Sequence, residues 1–371
     1  MLNEHEQTTY NHSLEQKVDS LAQLKVKGLV VGPIHVAPPD KAMSLRFEEI
    51  SPEAGNLEQF KGFVQAAHRK GISVVLDLTP NYQGSSGPWF SNISVTNVAE
   101  RLKSALVFWL NEGVDGVQLS GVERVSSVVP SLWNDIRAIV QKGTDERPNK
   151  RLLIGVTEQS SAEDVSSLLS STSVDLLISR VLRAGDVDAT ERAQSVQRLY
   201  SSHSQTTLAW SLGGGAEGHM AWLVGPALVK LHQLLLLTLP GTPVFNYGDE
   251  LGLMDAEERA ERLSCRSFFR SLSELRGKEH SLTFGDFLLL LNSSSSLAYL
   301  RVWDQSERYL ATFNWAEEAA VLQLSRATLP RQAAVVLSTN SSALPADSKV
   351  DLTNLWLGPR QAALLRFPYT G

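Results

Sequence analysis

Between residues 28 and 248 the chain alternates short, almost continuous apolar runs with longer stretches whose apolar residues recur every three or four positions. The short runs are GLVVGPI (28–34), ISVVLDLTP (72–80), VDGVQLS (114–120), RLLIGVT (151–157), VDLLISR (174–180), TTLAWSL (206–212) and TPVFNYG (242–248). Such runs predict strands of a parallel sheet that is covered on both faces. Phe60, Phe63, Val64 and Ala67 share the spacing of one helix face, as do Val98, Leu102, Ala105, Leu106 and Trp109. The alternation predicts repeated βα units. Seven strands can be read, and a closed barrel of this kind needs an eighth. It would precede residue 28, yet nothing in residues 1–17 has the pattern of a buried strand. That polar segment is expected to be disordered or to lie irregularly across an open sheet edge.

After about residue 280 the texture changes. FGDFLLLL (284–291), LAYLRVW (297–303), RYLATFNW (308–315), AAVVLS (333–338) and QAALLRF (361–367) follow one another with turn-rich breaks and no helix between them. This predicts a compact antiparallel β domain. The stretch 255–278 reads as a charged amphipathic helix joining the two parts. The expected organisation is a polar segment over 1–17, a (β/α) barrel over 18–280 and a C-terminal β-sandwich over 281–371.

Composition narrows the function classes. A chain of 371 residues suits a large barrel plus a smaller domain, and 43% hydrophobic residues can fill both cores. A net charge of −6 gives no basic footprint, so no nucleic-acid partner is expected. One cysteine, Cys265, excludes an internal disulfide and a thiolate cluster. The eight histidines include no H-x-x-x-H pair, so neither a metal nor a cofactor is expected. The polar N-terminus lacks the apolar core of a signal peptide, and the apolar stretch 234–239 is far short of a membrane span.

The candidate chemistry lies at strand ends. Residues 113–121 read GVDGVQLSG, which resembles the nucleophile strand of the α-amylase family, where the order is Gly, apolar, Arg, apolar, Asp. Gln118 stands at the Arg position and Ser120 at the nucleophile position. Asp77-Leu78-Thr79-Pro80-Asn81-Tyr82 resembles the family's first motif, with Tyr82 where a substrate-binding His belongs. Val156 stands where the general acid belongs, and the His-Asp pair expected near Trp210-Ser211-Leu212 is absent. LLLLTLPGTPVFNYGDELGL (234–253) resembles the last βα unit. The resemblance implies an amylase-type (β/α)8 TIM barrel with its first strand missing, followed by an antiparallel β-sandwich. It also implies that Ser120, Val156, Gln118, Tyr82 and Asp77 are vestigial catalytic positions, with no catalytic residue retained.

Within that family the chain looks most like the 4F2-type heavy subunits of heteromeric amino-acid transporters. The likeness rests on LKVKGLVVGPIH (24–35), VVLDLTPNYQG (74–84), LPGTPVFNYGDELGL (239–253) and LLRFPYTG (364–371). The short link from Tyr82 to Phe90 leaves no room for the domain that amylases insert after the third strand. The resemblance implies a non-catalytic extracellular domain of a single-pass plasma-membrane glycoprotein. Its partner would be a multi-spanning light subunit of the L-type family, which it stabilises and delivers to the surface; other membrane proteins are admitted as further partners. The family's membrane helix and linking cysteine lie upstream of the barrel; neither is found in this sequence, and Cys265 does not correspond to the linking cysteine.

Two alternatives stay open on the residues. A glycoside hydrolase or transglycosylase could use relocated carboxylates: Glu158 would face the same side as Val156 if the strand continued, and Asp249 and Glu250 form an adjacent pair, read in the first instance as a turn anchor. A carbohydrate-binding module could stack sugars on Tyr82, Trp89 and Trp210. The sequence 213–218 matches G-x-G-x-x-G but falls at the seventh unit, as a flexible loop. Sequons begin at Asn11, Asn92, Asn292 and Asn340; the last three fall in predicted loops and are the glycosylation candidates.

Overall fold

Val18, Leu21 and Leu24 recur every third residue and are at most 3% exposed. That stripe folds the N-terminal stretch as a helix, α1 (Tyr10–Gln23), against the expectation of a disordered or irregular segment. The expectation rested on residues 1–17, which contain none of the three buried side chains. The computed structural model describes residues 10–36, 46–80, 95–143, 150–183, 188–213, 218–252 and 259–371. Among them no strand precedes residue 28. The chain divides into two compact units, 1–180 and 181–371.

In the first unit the strands are β1 (Gly28–Val31), β2 (His35–Val36), β3 (Arg46–Ile50), β4 (Ser73–Asp77), β5 (Gly116–Ser120), β6 (Leu152–Val156) and β7 (Leu176–Ser179). Five of them form a parallel sheet in the order β1-β4-β5-β6-β7, whereas β2 and β3 pair antiparallel. Helices α2 (Leu57–Arg69), α3 (Val95–Asn111), α4 (Val122–Val128), α5 (Pro130–Lys142) and α6 (Ala162–Thr172) alternate with the strands. α2 opens with a reciprocal cap between Asn56 and Gln59, and buries Phe60, Phe63, Val64 and Ala67 as its spacing predicts. Trp109 on α3 is fully buried, and its indole N–H donates to the Phe47 carbonyl at 2.7 Å. Gly116 is required where β5 meets β6, because a Cβ there would lie 2.5 Å from the Leu152 carbonyl oxygen.

The second unit contains α7 (Ala189–Ser202), β8 (Leu208–Trp210), α8 (Met220–Val224), α9 (Val229–Thr238), β9 (Thr242–Pro243), α10 (Arg259–Lys278) and α11 (His280–Thr283). β8 and β9 are parallel. Then come β10 (Asp286–Asn292), β11 (Ser296–Val302), β12 (Arg308–Asn314), β13 (Ala320–Leu322), β14 (Gln332–Ser338), β15 (Lys349–Asp351), β16 (Leu355–Leu357) and β17 (Ala362–Phe367). Six of these form an antiparallel sheet in the order β10-β11-β12-β17-β14-β15, and β13 pairs with β16. Leu310, Val335 and Leu365 from the sheet pack with Leu322, Leu355 and Leu357 from the pair, which makes the sandwich expected from the sequence.

Two buried arginines secure the C-terminal end of α9. Arg301, with no exposed surface, donates to the Thr238 carbonyl at 2.6 Å and to the Gly285 carbonyl at 2.9 Å. Arg276 donates to the carbonyls of Leu237 at 2.8 Å and Leu239 at 3.1 Å, and to that of Gly241. Burial lowers both guanidinium groups, Arg276 to about 9 and Arg301 to about 10, so both are charged at neutral pH. Cations at this end complement the helix dipole as well as its unpaired carbonyls.

Two outcomes are expected. Arg301→Met should lower the unfolding free energy by about 3–5 kcal/mol, because it strands buried carbonyls. Arg301→Lys should recover only part of the loss, since an ammonium cannot reproduce the fork; urea melts give both values. His35, 4% exposed, is lowered by burial from 6.5 to about 4. The unfolded chain therefore takes up a proton between those values that the folded chain does not, so stability falls as pH drops from 6.5 to 4. For one such histidine the loss is about 3 kcal/mol. His232 is lowered to about 4 in the same way, so urea midpoints across that range should become less steep in His35→Gln and flatten only when His232 is replaced as well.

Candidate functional site

The candidate site lies at the C-terminal ends of β4, β5 and β6 in the first unit, where parallel-barrel enzymes carry their chemistry. Asp77 ends β4 and is in register with Gln118 on β5. The Gln118 side-chain amide donates to Asp77 Oδ2 at 3.0 Å, and the Thr79 backbone N–H donates to Asp77 Oδ1 at 2.8 Å. Thr79 Oγ1 in turn accepts the Ser120 backbone N–H at 2.9 Å. Asp77, Gln118 and Thr79 are each 5% exposed. The Asp77 carboxylate is thus held within the sheet end, where it ties β4, β5 and the following loop together.

Ser120 ends β5 and Val156 ends β6, and the two are register partners. Gly121 N–H donates to the Val156 carbonyl at 2.9 Å, which closes the corner between them. A retaining glycosidase requires two carboxyl groups about 5–5.5 Å apart across the sugar. Here the paired positions present a hydroxyl and an isopropyl group. Neither can form a glycosyl ester with the sugar or protonate a leaving oxygen.

The other carboxylates are engaged elsewhere. β6 stops at Val156, so its alternation does not extend to Glu158; that side chain is 68% exposed and forms an ion pair with Arg180 at 2.6 Å. In the second unit Asp249 accepts the backbone N–H groups of Met220 and Asn246, both at 2.8 Å. Glu250 accepts that of Gly248 at 2.9 Å, and burial raises its carboxyl above the usual range. Both anchor their own loop, as the turn reading expects.

Trp210 corrects the sugar-stacking alternative. It is 1% exposed, and its indole N–H donates to the Pro240 carbonyl at 2.5 Å. Its ring is in the core because β8 points it inward, and the apolar run alone did not separate a core indole from one at a mouth. Tyr82, Trp89 and Asn92 lie outside the described residues, as do residues 214–217 of the glycine-rich loop. The two remaining sequons differ. Asn292 is half-buried and its Nδ2 donates to the Thr190 carbonyl at 3.0 Å. Asn340 is exposed, and its Oδ1 accepts the Ala343 N–H at 3.3 Å. Cys265 is buried on α10.

Comparison with known proteins places this geometry. The profile of the alpha amylase catalytic domain matches residues 12–96. The amino acid transporter heavy chain SLC3A2 of rabbit (Oryctolagus cuniculus) is 37% identical over 96% of this chain and 73% of its own length. The chain belongs to the amino acid transporter heavy chain family. The mouse SLC3A2 heavy chain is 36% identical over 96% of this chain and 74% of its own length. Neopullulanase 2 of Thermoactinomyces vulgaris is 24% identical over 75% of this chain and 58% of that enzyme. The crystal structure of trehalulose synthase MutB from Pseudomonas mesoacidophila MX-45 superposes with a TM-score of 0.74 at 15% identity, covering 98% of each chain. That likeness establishes the amylase-type fold for this heavy chain. No helix among the described residues is long and apolar enough to cross a membrane.

Two substitutions separate structural from idle positions in the mouth of this heavy chain. Gln118→Leu removes a donor from a buried carboxylate and should lower the unfolding free energy by about 1–3 kcal/mol. Ser120→Ala should stay within about 0.5 kcal/mol, because the hydrogen bond at that position comes from the backbone. Equal losses for the two in urea melts would contradict this account of the site.

Proposed function

We propose that this chain is the non-catalytic extracellular domain of the heavy, accessory subunit of a heterodimeric amino-acid transporter. In this reading it supports surface delivery and stability of a multi-spanning light subunit of the L-type family, and works at the plasma membrane through protein contacts. The single observation that carries the reading is the pairing of heavy-chain ancestry with the register of Ser120 beside Val156. A barrel without carboxylates at those positions still offers a large rigid surface, which is what an accessory subunit needs. We further propose that the barrel spans 18–280 and the sandwich 281–371.

The test joins the chain to a membrane helix with a juxtamembrane cysteine and expresses it with an L-type light subunit in cells lacking their own heavy chain. Surface light subunit and leucine uptake should both rise above those obtained with the helix alone. No gain in either readout would end the accessory-subunit reading. The purified chain should hydrolyse maltose and aryl α-glucosides no faster than a buffer blank. The loss of one general acid or base alone removes on the order of 10²–10⁴ in rate. In the same cells Asn340→Gln should remove one glycan from the protein, seen as a gel shift lost on deglycosylation. Asn292→Gln should leave the glycan count unchanged, because the amide nitrogen that would carry the sugar is bound to the Thr190 carbonyl.

A further inference from the structure

The second unit contains a cavity of about 270 Å³ that neither the strand-end site nor the accessory-subunit reading uses. Its wall includes Val196 of α7, Leu235 of α9, Phe287 of β10 and Leu297 of β11, and it is mostly apolar. Four side chains with polar groups line it, Arg192, His232, Tyr299 and Trp315, and the Trp315 indole N–H already donates to the Ser294 carbonyl. The Arg192 Nε is buried with no hydrogen-bond partner. Asp188, one turn earlier, acts on it through charge alone, and Arg192 has no ion pair among the described residues. Desolvation lowers this guanidinium below its ordinary value, and the Asp188 charge offsets part of that effect. His232 hydrogen-bonds to the Leu228 carbonyl through Nδ1 at 2.8 Å, so that nitrogen carries the proton. Burial lowers the ring to about 4, so at neutral pH it adds no second charge. Tyr299, also in the wall, is already bonded to the Thr238 hydroxyl and the Leu235 carbonyl. The chamber therefore offers one cationic donor, Arg192, beside the neutral Nε2 acceptor of His232.

We infer that this cavity is a binding site for a small aliphatic carboxylate, with the alkyl chain among Val196, Leu235, Phe287 and Leu297 and the carboxylate against Arg192. Charge complementarity selects the head group: an anion pairs with the half-buried Arg192 guanidinium, whose Nε is buried without a partner, whereas an alcohol or an amine adds no opposite charge. Size selects the tail. A cavity of about 150 Å³ holds benzene, so by proportion this one accommodates about eleven non-hydrogen atoms, close to octanoate.

The test is calorimetric titration of octanoate into the full chain after lipid is stripped on a hydrophobic resin. One site is expected, with Kd on the order of 10–100 µM. Octanol should bind at least about tenfold more weakly. Arg192→Gln should weaken octanoate by about 10–100-fold and leave octanol unchanged. Ala193→Phe, which projects a ring into the chamber from α7, should abolish binding of both. Leu297→Phe fills the same space from the sheet and serves if the first variant melts early. The inference is overturned if octanoate does not bind, if octanol binds as tightly, if Arg192→Gln changes nothing, or if a folded filled variant still binds.

Discussion

The second unit depends on the attachment of α9 to its neighbours through buried guanidinium groups. A helix end leaves carbonyls without partners, and water cannot reach those of Leu237 and Thr238. Arg276 comes from α10 and Arg301 from β11, so helix, sheet and the Pro240-Gly241 turn are joined at one electrostatic point. Each cation is expensive to bury, and each is tolerated because several carbonyl dipoles surround it. The arrangement fixes where α9 ends. That in turn places Pro240 to receive the Trp210 indole and sets one wall of the cavity at Leu235 and Leu239.

In the first unit the controlling constraint is register. Parallel pairing of β4, β5 and β6 brings Asp77 beside Gln118 and Ser120 beside Val156, whatever side chains stand there. The geometry of the scaffold therefore does not depend on the chemistry those positions carry. Gly116 shows how tightly that register is specified, since any side chain would press into the Leu152 carbonyl. Asp77 persists because its carboxylate holds the sheet end together, a role that needs no substrate.

The long apolar runs were legible as strands because burial on both faces leaves a continuous signature over four or more residues. β13, β15 and β16 have three residues each, and β2 has two, too few for any period to emerge. α1 escaped because its buried stripe starts at Val18, beyond the polar opening that drew attention. Trp210 failed because an apolar run does not separate a core indole from one at a mouth. Glu158 failed because a strand pattern tells which side a residue faces only while the strand lasts, and β6 ends two residues before it. The motif spacing singled out Ser120, Gln118 and Val156, and the fold places all three at the C-terminal ends of β5 and β6. The partnership of Gln118 with Asp77 could be read only once cross-strand register was known, because the two are 41 residues apart. The Arg192 cavity left no mark in sequence, since its wall is assembled from α7, α8, α9, β10 and β11, whose apolar faces look like any other core.

The neutral amide at 118 also governs what mutation could do to this barrel. Thr79 links Asp77 to the backbone at 120, so an aspartate reintroduced there would stand near an existing carboxylate with no guanidinium at 118 to offset the two. Like charges so placed force one of them to retain a proton, and a protonated carboxyl is a poor nucleophile. Carboxylates at 120 and 156 would therefore call for a cation at 118 to accompany them. The Gln118–Asp77 hydrogen bond thus sets the order in which charge can be added at this end of the sheet: a cation at 118 before an anion at 120.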